Sequence, residues 1–186
     1  MKNKYSEELK KGLSNKEIAK GLRQILHPDL DDSDVENISI CLLCHLLIEK
    51  RINGILYRWL SYDLPFKDKM DEKKIKDDLF EKITKMNFMN KYEIIKPSFL
   101  AWFKESADAI SEINKLRNDF FHGKVSFKEA KFKGHSISSK GAIEKLFISA
   151  QDAATRLDEF DELLDSRRAL AEKWGRRLKK LGQPLV

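Results

Sequence analysis

The chain has only two cysteines, three positions apart at 41 and 44, so a secreted disulfide framework is excluded. It has no long apolar run. The longest, residues 38 to 48, is broken by Ser39 and His45 and is far too short to span a bilayer. The opening Met-Lys-Asn-Lys-Tyr-Ser-Glu-Glu contains no apolar run of signal-peptide length. No internal repeat and no convincing run of strands can be found. These absences lead to the expectation of a protein of the reducing cytoplasm without a membrane partner.

What is present is charge. Charged residues make up 35% of the 186 and hydrophobic ones 41%, which suits one helical domain with a heavily charged surface and a sizeable core. The formal net charge of +6 favours polyanions, although lysine and arginine are interleaved with aspartate and glutamate. The positive excess is local. Lys124, Lys128, Lys131 and Lys133 form one group, and Arg167, Arg168, Lys173, Arg176, Arg177, Lys179 and Lys180 crowd the C-terminal stretch.

Helical periodicity dominates the chain. Ile18, Leu22 and Ile25 predict a short first helix, ended by His27-Pro28 and an acidic linker. A long helix is expected from about Asp34 to Leu60, with Cys41, Ile48, Ile52, Ile55 and Trp59 on one face and Pro65 closing it. A charged amphipathic helix follows from about Asp71 to Met86. Pro97 is expected near the start of another, in which Leu100, Phe103, Ile110, Ile113 and Leu116 lead to Arg117 and Gly123 forms the C-terminal cap. Residues 124 to 140 read as a turn-rich loop with room for a short hairpin. A last long helix is expected from about Lys140 to Asp165, with a basic helix or tail beyond it. The fold class is all-α, an antiparallel bundle of four to five principal helices.

Two motifs invite chemistry that their surroundings oppose. Cys41-Leu-Leu-Cys44-His45 matches the haem attachment pattern, and a zinc site would need a fourth ligand for which distant His135 is the only hint. Leu42, Leu43, Leu46 and Leu47 instead make this a core helix, in which cysteine acts as a small hydrophobe and His45 pairs with Glu49 four positions on. Ser14 to Leu22 resembles the first helix of a helix-turn-helix. The acidic His27 to Ser33 segment that follows has no place in a major groove.

The residues 114 to 124, Asn-Lys-Leu-Arg-Asn-Asp-Phe-Phe-His-Gly-Lys, carry the strongest candidate site. Arg117 and His122 are five apart, which is about 140° round a straight helix and about 7.5 Å along it. They converge on one ligand only if His122 lies in an unwinding last turn, or if two copies of the helix end meet across a twofold axis. Arginine offers a planar fork of donors for phosphate oxygens. Histidine titrates near neutrality, and helix C-terminal carbonyls favour its charged, acid form. With no cluster of metal-binding carboxylates nearby, arginine plus histidine suits RNA cleavage in which the ribose 2′-hydroxyl is the nucleophile. Asn118 could orient either partner or bond the phosphate. The same residues also read as an ordinary helix end, with Arg117 bridging to a carboxylate and His122 capping.

Leu-Arg-Asn-Asp-Phe-Phe-His-Gly at the end of a bundle helix resembles the R-x(4–6)-H signature of the HEPN (higher eukaryotes and prokaryotes nucleotide-binding) superfamily. There the arginine is commonly followed by a polar residue and the histidine often precedes glycine. The long helix with Leu47-Ile48-Glu49-Lys50, then Phe80-Glu-Lys-Ile83, and the last long helix fit the family layout over about residues 34 to 165. The resemblance implies a homodimer with the signature helices facing each other. It also implies metal-independent endoribonuclease activity without a cofactor, in a toxin–antitoxin, antiviral or RNA-processing setting where an antitoxin could be a partner. Arg117, His122 and Asn118 would be catalytic, and Lys124, Lys128, Lys131 and Lys133 would contact RNA. Phe121 departs from the small residue common there, and some members of the family are non-catalytic binding or scaffold modules. The implied organisation is an N-terminal helix and acidic linker (1–33), a HEPN-like bundle (34–165) and a basic helix or tail (166–186).

Among the aromatics, Trp59, Phe80, Trp102, Phe147 and Phe160 sit at helical spacing and are expected in the core. Phe127 and Phe132 are expected exposed among lysines, where rings suit single-stranded RNA, or folded back on the bundle.

Overall fold

The computed structural model describes residues 32–62, 69–121 and 129–180. The expected first helix, His27, Pro65 and the Gly123 cap lie outside the described residues. Those described are all-α apart from one small hairpin: α1 (Asp32–Ser61), α2 (Lys69–Lys85), α3 (Phe88–Trp102), α4 (Lys104–Phe121), β1 (Lys131–Phe132), β2 (His135–Ser136) and α5 (Lys140–Lys180). None of these helices is long and apolar enough to cross a membrane.

The described parts of the chain gather into two compact units, one from residues 1–49 and 105–152, the other from 50–104 and 153–186. In the first, Val35, Ile38, Cys41 and Ile48 of α1 form an apolar stripe at spacings of three and seven, and each is buried. Ile110, Ile113 and Leu116 of α4 and Leu146 and Ala150 of α5 are buried in the same unit. Ser106 near the start of α4 donates to Asp152 Oδ2 of α5 at 2.9 Å, while the end of α4 borders the residues before α5, so the two helices run antiparallel. Ser139 begins α5, its Oγ accepting from Ala142 N–H at 3.3 Å.

In the second unit Ile52, Ile55, Ile95, Phe99, Leu157 and Phe160 are buried, and the Phe99 and Phe160 rings meet edge to face at 5.5 Å. Arg51 of α1 pairs with Asp158 of α5 at 3.3 Å, and Arg58 grips Asp161 with two nitrogens. Acids in the first turn of α2 and lysines in its last complement the helix dipole. Among its residues 71–85 only Ile83 is buried. Lys91 is fully buried as well, its Nζ 3.5 Å from the Thr84 carbonyl.

Pro97 does not start a helix. It lies inside α3, which begins at an Asn87 cap whose side chain accepts from Asn90 N–H at 2.8 Å. Proline cannot bond the Glu93 carbonyl, yet both residues are exposed, which lets the helix tolerate the loss. The break comes at Phe103, whose φ of −135° and ψ of 59° leave the helical region. The hairpin is built on a two-residue turn, with Phe132 paired to His135 and positive φ at both Lys133 (48°) and Gly134 (80°). That is the type I′ geometry whose twist matches paired strands. Helix α5 runs unbroken past residue 166 to Lys180, so the basic stretch begins as more of the same helix.

Candidate functional site

The C-terminal half of α4 carries the described part of the candidate site. Ile110, Ile113, Asn114 and Leu116 form its buried face. Arg117 and Asn118 stand half-buried at the edge of that face. Arg117 Nη1 donates to Asn118 Oδ1 at 2.9 Å, so the two side chains lie together on the helix surface. His122, Lys124 and Lys128 lie outside the described residues. One turn before Arg117, Asn114 Oδ1 is 3.3 Å from His45 Nε2 inside the first unit, and Glu49 stands 3.8 Å from His45 Nδ1. The expected His45–Glu49 pair is therefore part of a trio whose closer contact comes from α4. The buried His45–Asn114 contact fixes how α1 and α4 mate, because shifting either helix would strand a polar group at a cost of about 1–3 kcal/mol.

Beside this helix end lies a cleft of about 350 Å³. Glu112, Lys115 and Asp119 of α4 form one wall, Glu129, Lys131, Lys133 and Gly134 the other, with Leu116 and Ala130 between. Three carboxylates and three ammonium groups line it. Lys131 and Lys133 are exposed, as RNA contacts would require, while Phe132 between them is 1% exposed. Of the two readings of Phe132, exposed among lysines or folded back, the structure takes the second. A strand sends alternate residues to opposite sides, so the lysines face out and the ring enters the core. Lys133 Nζ lies 5.6 Å from the Phe132 ring centre and 3.4 Å from Ser149 Oγ. His135 has its Nε2 3.3 Å from Lys145 Nζ.

Cys41 and Cys44 are buried and free of disulfides. Burial pushes the Cys44 thiol up to about 12. Cys41 is raised further, first by burial and then by its neighbour Cys44. Both stay protonated near neutrality, the behaviour of core residues rather than of thiolate ligands. Among the described residues no three His, Cys, Asp or Glu side chains could hold a metal ion together.

The aromatic expectations divide. Phe160 is core, whereas Trp59, Phe80, Trp102 and Phe147 are all exposed. Helical spacing fixes which face a ring occupies but not whether anything covers that face. Compared with family models, with curated proteins and with solved structures, the chain gives no match.

Proposed function

We propose that this chain is a metal-independent endoribonuclease of the HEPN type, acting as a homodimer in which the ends of two α4 helices share one RNA. The observation that carries the proposal is the Arg117–Asn118 pair, hydrogen-bonded and half-buried at the end of a bundle helix within the signature sequence. A guanidinium held by its neighbour loses little freedom on meeting a phosphate. The ribose 2′-oxygen attacks phosphorus, a bond from O2′ to phosphorus forms, and the bond to O5′ breaks. One imidazole takes the 2′-hydroxyl proton, and the His122 imidazolium of the other copy protonates the departing 5′-oxygen. Arg117 offsets the extra negative charge on the pentavalent phosphorus. Lys124, Lys128, Lys131 and Lys133 hold the flanking backbone. Action as a toxin, or in antiviral defence or RNA processing, fits such an activity, and an antitoxin would be its protein partner.

Arg117→Ala and His122→Ala should each lower RNA cleavage at least about a hundredfold while leaving circular dichroism and thermal midpoint unchanged. Cleavage should survive EDTA and leave 2′,3′-cyclic phosphate ends, as read by mass spectrometry of the products. Activity lost with chelator would sink the metal-independent mechanism.

A second reading, a non-catalytic module on the same fold, draws support from the cleft. Glu112, Asp119 and Glu129 line it beside the lysines, and carboxylates repel an RNA backbone. A chain that binds RNA, nucleotide or protein without cutting RNA, unaltered by His122→Ala, would select this reading.

A further inference from the structure

In the first compact unit, α1 is closed off on a side that its printed partners do not occupy. His45 faces α4 through Asn114, and Asn37 donates to the Ile137 carbonyl just before α5 at 3.4 Å. Ser39 lies about 120° round the helix from His45 and about 160° from Asn37. It is nevertheless 0% exposed, and its hydroxyl donates to the Val35 carbonyl at 2.7 Å. Val35, Leu42 and Leu46 fall within about 60° of Ser39 on the same side. Burial fades along that line. Val35 is 3% exposed, Leu42 is half-buried and Leu46 is 55% exposed.

Ser39 is shut off within a single chain, so its cover belongs to this chain and not to a second copy. The stretch that joins α1 at Asp32 has the pattern such a cover needs. Ile18, Ala19, Leu22, Ile25 and Leu26 recur at the spacing of one helix face, and Lys16, Lys20 and Arg23 fall on the opposite side. Ser14 and Glu17 have the spacing of a capping box, and His27-Pro28 ends the periodic run. Residues 27–31 make a connection of the length that joins antiparallel neighbours in bundles.

We propose that residues 14–26 form a helix that folds back antiparallel along the Ser39 side of α1, turning Ile18, Leu22 and Ile25 towards Val35, Ser39 and Leu42. The docking does not depend on the chain's being a nuclease. A helix from Ser14 to Leu26 is about 20 Å long, so a hairpin that turns at residues 27–31 carries it back only to about residue 44. The cover then stops between Ser39 and Leu46, where exposure begins. Serine is small enough to let two helix backbones approach at the crossing. Because its hydroxyl is already bonded to the Val35 carbonyl, enclosing it leaves no unpaired donor in the seam.

Cross-linking in the full chain tests the register. Asn15→Cys falls on the inner side of the proposed helix, opposite about residue 43. Leu46→Cys is exposed at the end of the seam, and the native thiols are buried. A short bismaleimide should join the two introduced thiols within one chain, as read by mass spectrometry of the digested product. A link between two chains would hand the face to a second copy and overturn the docking, and so would the absence of any link. Hydrogen exchange tests the cover itself. Ile18→Glu with Leu22→Glu should speed amide exchange over residues 35–43 at least about tenfold and lower the thermal midpoint. Lys16→Glu with Lys20→Glu, on the outer side, should change neither. Unaltered exchange in the first variant, or an equal loss of protection in the second, overturns the docking. Should the first variant fail to fold at all, the cross-link decides.

Discussion

His45 and Asn114 are 69 positions apart, and no local pattern links them. The sequence makes His45 a core residue because leucines surround it, but its neighbour across the unit can be named only from the fold. Cys41 and Cys44 differ in this respect. Their place on an apolar helix face is enough to make them small core residues, and burial then dictates their acidity. The sign of its consequence follows from the raised value. An unfolded thiol ionises near 9, whereas folded Cys44 holds its proton up to about 12. This contribution to stability is complete below pH 9 and is lost as pH climbs towards 12. Urea unfolding should therefore show a fall in stability above pH 9 that is smaller in a Cys41→Ala, Cys44→Ala variant. The native thiols should not react with an aromatic disulfide reagent at pH 8 until the chain is unfolded. Rapid reaction in the folded state would show that the pair is not enclosed.

At the scale of elements, the ends of α1 and α2 fall within two residues of where periodicity puts them, since long amphipathic stripes leave little choice. Pro97 misleads because proline's preference for a helix start is statistical, while an exposed interior position tolerates it. The hairpin was legible as a possibility from its glycine and serines. Its inward ring was less so, because strands of two residues give the alternation almost nothing to act on. The turn provides a direct test. Lys133 holds a φ of 48°, a region where asparagine is more at ease and Asn-Gly is the preferred type I′ pair. Lys133→Asn should raise stability by about 0.5–1 kcal/mol. Gly134→Ala should lower it by about 1 kcal/mol through backbone strain alone, since a methyl there would touch nothing within 4 Å. Thermal or urea denaturation measures both, and equal effects of the same sign would contradict the turn geometry.

Over the whole molecule, the all-α class followed from composition and period, whereas the division into two compact units did not. Chain crossings near residues 49, 104 and 152 bear no proline, glycine or change in charge to announce them. The candidate site was legible only as a motif. Its neighbours in space, the cleft acids and the lysines of the hairpin, come together through tertiary packing that no local spacing encodes. The net charge of +6 adds a prediction at this scale. If RNA is the ligand, its affinity should fall at least tenfold between about 50 and 200 mM salt, as ions are displaced from the phosphates. Titration by fluorescence anisotropy at several salt concentrations would show it, and a flat response would argue for an uncharged partner. One ring bears on that encounter more than its size suggests. Phe132, sunk in the core, pins the backbone between Lys131 and Lys133, so RNA, if it is bound there, would meet two cations carried on a fixed turn and give up less disorder than on a loose one.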